Sequence, residues 1–123
     1  GSLADLFLSK TLVLANTNKT VLYTAPANTI SIVKSIRLYN SHTSAVLTTI
    51  HFVDVDSDTA SNTESILSKQ YVSATDGHSD AFPIGNPIEL ITNPLVTNEG
   101  DIIKITAGVA AKIHVHLSVL EIT

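Results

Sequence analysis

The feature that most restricts this chain is its rhythm. Short stretches of β-branched and apolar residues are broken at fairly even intervals by clusters of Asn, Ser, Thr, Gly and Pro, the pattern of an all-β sandwich. About eight such segments can be drawn: Thr11 to Ala15, Lys19 to Thr24, Thr29 to Asn40, Ala45 to Val55, Ser65 to Ser73, Pro87 to Ile91, Asp101 to Ala107 and Lys112 to Ile122. The intervals are too short for crossover helices, so the strands are expected to pair antiparallel. No fixed-period repeat is present. The expected fold is thus an antiparallel β-sandwich, jelly-roll-like or Ig-like.

Two segments alternate clearly. In the first, Ile30, Ile32, Ile36 and Leu38 are separated by Ser31, Ser35 and Arg37, which predicts one buried and one wet face, with Lys34 interrupting the apolar side. In the last, Ile113, Val115, Leu117 and Val119 share one face and His114, His116 and Ser118 the other. That second face turns apolar again at Leu120 and Ile122. Turns are expected at Thr24 to Asn28, at Gly85 to Pro87 and at Asn98-Glu99-Gly100-Asp101. The two longest loops are expected over Asp54 to Glu64 and Ala74 to Gly85. Leu3, Leu6 and Phe7 lie near helical spacing, so residues 1–10 read as a short helix or an arm that packs on a neighbour, and residues 11–123 as a single sandwich domain. Leu3, Leu6 and Phe7 are the candidate interface residues.

The bulk properties narrow the function. A chain of 123 residues supports one core rather than two, and 44% apolar residues suffice to fill it. Its seven Lys and Arg residues are scattered and the formal net charge is -4, which argues against nucleic-acid binding. The apolar runs are too short to span a bilayer as a helix, and no signal-peptide pattern is present. The absence of Cys excludes disulfides, thiolate metal sites and a cysteine nucleophile.

The segment TVLYTAPANTISIVKSIRLYN, Thr20 to Asn40, resembles a pattern in small bacteriophage virion proteins: a strand, a TAPA-like turn, then an Ile- and Val-rich strand ending in Asn. The stretch NEGDIIKITAGVAAKIHVHLSVLEI, Asn98 to Ile122, resembles their closing hairpin, with a Gly-Asp turn and a final Glu-Ile pair. The resemblance implies a capsid decoration, head-fibre or tail-accessory role, location in the virion, and no catalytic residues to carry over. It also implies a homo-oligomer, with a trimer favoured, in contact with other virion proteins.

Constellations that could carry chemistry are few. Asp54, Asp56 and Asp58 form a DxDxD run that invites Ca²⁺. However, Thr59 and Ser65 stand where an EF-hand loop needs Gly and Glu, so a solvated acidic loop is the preferred reading. His114 and His116 project from one strand face and could chelate a metal, yet two ligands do not make a site, and a metal-free polar face or subunit contact is preferred. No nucleophile elbow, paired acids or phosphate-cradling loop is present. The expected protein is therefore not an enzyme and needs no cofactor or metal. A mean hydropathy of +0.29 with charged residues at only 15% suits a surface covered by neighbours. The rival reading is a carbohydrate- or receptor-binding module, with a host surface glycan as partner. Scarce aromatic residues and the absence of Trp count against it.

Overall fold

The computed structural model describes residues 5–56, 61–74, 87–88 and 95–123. Within them the chain forms strands and no helix. The strands are β1 (Asp5–Val13), β2 (Thr20–Thr24), β3 (Ile30–Asn40), β4 (Val46–Asp56), β5 (Ser61–Val72), β6 (Pro87–Ile88), β7 (Leu95–Thr97), β8 (Ile102–Ala107) and β9 (Ile113–Ile122). One sheet has the order β1-β9-β3-β6, with β7 also pairing with β3, and the other the order β2-β8-β4-β5. Every pairing is antiparallel. The chain passes repeatedly from sheet to sheet and returns its last strand between its first and third, which is the jelly-roll arrangement rather than the immunoglobulin one.

The core lies between the sheets. β9 contributes Ile113, Val115, Leu117 and Val119, and they face Leu22, Ile50, Ile103 and Ile105 of the second sheet, all fully buried. Each such side chain stabilises the fold by about 1.5–3 kcal/mol relative to exposure. The burial expected for one face of the last strand is therefore found.

β3 corrects the sequence reading at its start. Its register against β9 shifts between Val33 and Ser35, a bulge that leaves Lys34 exposed and reverses which residues face inward. After the bulge Ile36, Leu38 and Asn40 point into the core; before it the buried residues are Ser31 and Val33. Ile30 and Ile32, expected on the core face, thus belong to the outer one, where they pair with Ile122 and Leu120. Lys34 marked this position in the sequence: the bulge is what keeps its ammonium out of the core.

The N-terminal segment differs as well. Residues 5–10 are neither helix nor detached arm but the first part of β1, an edge strand hydrogen-bonded to β9 from Asp5↔Ile122 to Val13↔His114. Leu8 and Leu12 pack against the core, and their spacing, read with period two, is that of a strand. β4 and β5 extend to Asp56 and from Ser61, well into the region expected as a loop. The short β7 was not anticipated. The remainder of the expected Pro87 to Ile91 strand, and nearly all of the expected Ala74 to Gly85 loop, lie outside the described residues.

The expected turn at residues 98–101 is present. Gly100 has φ +85°, where a Cβ is strained, and Asp101 N–H donates to Asn98 O at 3.1 Å. The buried Asp101 carboxylate accepts the N–H of Asn98 at 2.9 Å and of Val55 at 3.0 Å. Main-chain bonds of 2.9 Å join this turn to Ala25 in both directions.

Candidate functional site

Directly paired residues on neighbouring strands project from the same face, so the registers above determine the outer face of the first sheet row by row. Phe7 is opposite Leu120, Leu120 opposite Ile32, and Ile32 opposite Val96. This is an unbroken apolar row across β1, β9, β3 and β7. Phe7 is 73% exposed and Val96 57%. The neighbouring row adds Ile122 and the 49%-exposed Ile30. A contiguous patch of this kind is unusual on a surface that meets only water.

Further along the same face the character changes. Ser9, Ser118 and Ser35 form the next row, then Thr11, His116 and Arg37, then Val13, His114 and Tyr39. Thr11, Leu12, Val13, His114 and His116 line a shallow hollow of about 280 Å³. The His114 ring stands edge-on to Tyr39, centroids 5.5 Å apart.

The residues singled out from the sequence are distributed as follows. Phe7 lies in the apolar row; Leu6 is opposite Glu121 on the other face of the edge strand and is 57% exposed; Leu3 lies outside the described residues. His114 and His116 share the outer face of β9 as expected, but no group of three or more metal-ligating side chains forms among the described residues. Asp54 is exposed near the end of β4, Asp56 is the strand's last residue, and Asp58 lies outside the described residues. Pairing of residues 54–56 with Thr63, Asn62 and Ser61 makes this stretch part of a strand pair, where the sequence suggested an open acidic loop.

Two polar clusters had no sequence signal, because their members are far apart in the chain. On the outer face of the second sheet, the Glu64 carboxylate meets Lys19 Nζ at 2.6 Å and lies 3.9 Å from both Lys104 Nζ and His51 Nδ1. Lys19, first by hydrogen bond, holds Glu64 below its usual pKa range. Desolvation, then Lys19, lowers that of His51. His51 Nε2 is 3.1 Å from Thr106 Oγ1, so hydroxyl, imidazole and carboxylate occur in sequence. At 3.9 Å the imidazole and carboxylate are beyond hydrogen-bond reach, and Lys19 engages the carboxylate instead. The second cluster is internal: Tyr23 Oη lies 2.8 Å from Ser31 Oγ and donates to Glu121, linking the two sheets. Burial, followed by the Glu121 hydrogen bond, pushes the Tyr23 pKa up to about 12.

Compared with known proteins, the chain matches no family model and no curated sequence. One solved structure with a similar chain is the N-terminal endo-1,4-β-D-xylanase 10B of Clostridium thermocellum, its CBM22-1 and GH10 modules complexed with xylohexaose. It is 9% identical with a TM-score of 0.49, and the match covers 98% of this chain but only 25% of that one. Likeness at this level bears on neither ligand nor activity.

Proposed function

We propose that this protein is a non-enzymatic structural component of a virus particle, a capsid decoration or tail or fibre accessory, acting through self-association and contacts with other virion proteins. The observation that carries the self-association is the apolar row Phe7, Leu120, Ile32 and Val96 on the outside of the first sheet. Covering a largely exposed side chain such as Phe7 gains up to about 1.5–3 kcal/mol and the half-buried Leu120 and Ile32 less, and closed symmetry lets identical patches bury each other; a trimer is the favoured assembly. The virion role rests on the two segments that resemble phage virion proteins. In the fold these segments meet, since the Thr24 to Asn28 turn is bonded through Ala25 to Gly100 and Asp101.

The glycan- or receptor-binding reading has less support: among the described residues, the exposed rings Phe7 and Tyr71 lie on different sheets and do not form one platform. Light scattering on the full chain and on a Phe7→Lys, Val96→Lys double variant tests the proposal. Association by the parent at high micromolar concentration, lost in the variant, is expected. A monomeric parent overturns it.

A further inference from the structure

We infer that the polar end of the same sheet face binds a small oxyanion, a carboxylate, sulfate or phosphate group, through Arg37, His116, His114 and the Thr11 hydroxyl. This site is independent of the apolar row and of any assembly built on it. Thr11, His116 and Arg37 are direct cross-strand partners on β1, β9 and β3, so a hydroxyl, an imidazole and a guanidinium stand side by side at the strand spacing of about 4.8 Å. His114 lies two residues from His116 on the same face; an open hollow of about 280 Å³ lies on the β1 side of the pair, lined by Thr11 and Val13 with both imidazoles, and Arg37 stands on the β3 side of His116.

Charge distribution favours the same ligand. The described carboxylates Asp5, Asp54, Glu64, Glu99, Asp101 and Glu121 all lie toward the opposite end of the sandwich, where Asp5 pairs with Ile122, Glu64 with Val53, and Asp101 accepts from Val55. Among the described residues, Arg37, His114 and His116 form no ion pair with a carboxylate. A chain with formal net charge -4 therefore presents a guanidinium and two imidazoles together here with no carboxylate paired to them among the described residues. Arg37 also decides between cation and anion. A guanidinium opposite His116 opposes a divalent metal on the His pair, whereas it offers an oxyanion two parallel N–H donors.

Backbone amide NMR on the full chain, titrated separately with inorganic phosphate, glucuronate, glucose and Zn²⁺, tests the site. Expected are saturable shifts at Thr11, Arg37, His114 and His116 with phosphate or glucuronate and none with glucose, and an Arg37→Gln variant that binds at least tenfold more weakly. The stronger of the two anions distinguishes a phosphate source from a sugar carboxylate. Arg37 is exposed, so the variant should melt like the parent; His116→Ala, which should also weaken anion binding, provides the second check. Anion shifts spread over the surface lysines, binding unchanged in Arg37→Gln, or Zn²⁺ saturating the His pair while neither anion binds would each overturn the inference.

Discussion

The side-chain amide of Asn40, at the end of β3 in one sheet, donates to the main-chain carbonyl of Val72, at the end of β5 in the other, at 2.9 Å. The same Nδ2 reaches Ser44 O at 3.0 Å, and Oδ1 accepts the His42 N–H at 2.8 Å. Asn40 is fully buried, so truncation to Ala leaves these groups without their partner, at about 1–3 kcal/mol each for those that water does not reach. Asn40→Asp should be worse, because an oxygen then faces two carbonyls. Urea denaturation should give the order parent, Asn40→Ala, Asn40→Asp.

The bulge at Lys34 makes opposite forecasts for two isoleucines of one strand. Ile36 is fully buried, and Ile36→Asp would place an unpaired carboxylate in the core, costing several kcal/mol; the domain should not fold. Ile30 is 49% exposed, and Ile30→Asp should cost less than about 1 kcal/mol. Equal melts for the two variants would contradict the register.

Stability should fall at alkaline pH. The Tyr23 phenol titrates near 10.0 when unfolded but is pushed up to about 12 in the fold, so between those values the unfolded chain binds fewer protons and gains on the folded one. The contribution is complete below pH 10 and lost as pH rises through 12. Tyr23→Phe should flatten this part of the pH profile, while lowering stability at neutral pH because the buried Ser31 hydroxyl loses its partner.

Acid acts through His51 with the opposite sense. Its folded pKa is below the ordinary 6.5, first through desolvation, so the stability it contributes is present above pH 6.5 and lost as pH falls through the lower, folded value. Denaturation midpoints measured from pH 7.5 to 5 should decline for the parent and less for His51→Gln.

Thermal melts with and without EDTA should coincide, since the fold is held by packing and the cross-sheet bonds of Tyr23 and Asn40. A drop of many degrees on chelation would mean that the acidic stretch or the His pair carries a structural ion.

Much of this architecture was legible in the chain. The last strand, the turn at Gly100 and the boundaries of β2, β3 and β4 follow from period-two alternation and from breakers, which are local properties. Elements that depend on partners were not legible. β7 is too short to show a period and exists through its pairing with β3. Residues 5–8 of β1 suggest helical spacing or an arm in the sequence, and only the hydrogen-bond partners on β9 make them a strand. Phe7 could be named as exposed and apolar, but its alignment with Leu120, Ile32 and Val96 is a matter of register across four strands. Arg37 has no local signal for the same reason: only the pairing with His116 gives its guanidinium a setting.

Asp5 and Ile122 are cross-strand partners, so the two ends of the described fold emerge side by side, from adjacent antiparallel strands. A load applied to both ends would peel β1 from β9 one hydrogen-bonded pair at a time instead of straining the whole ladder together, which makes this a mechanically soft attachment. The same proximity lets the sandwich be inserted into a loop of another protein, or have its ends joined by a short linker and be reopened elsewhere, without disturbing the core.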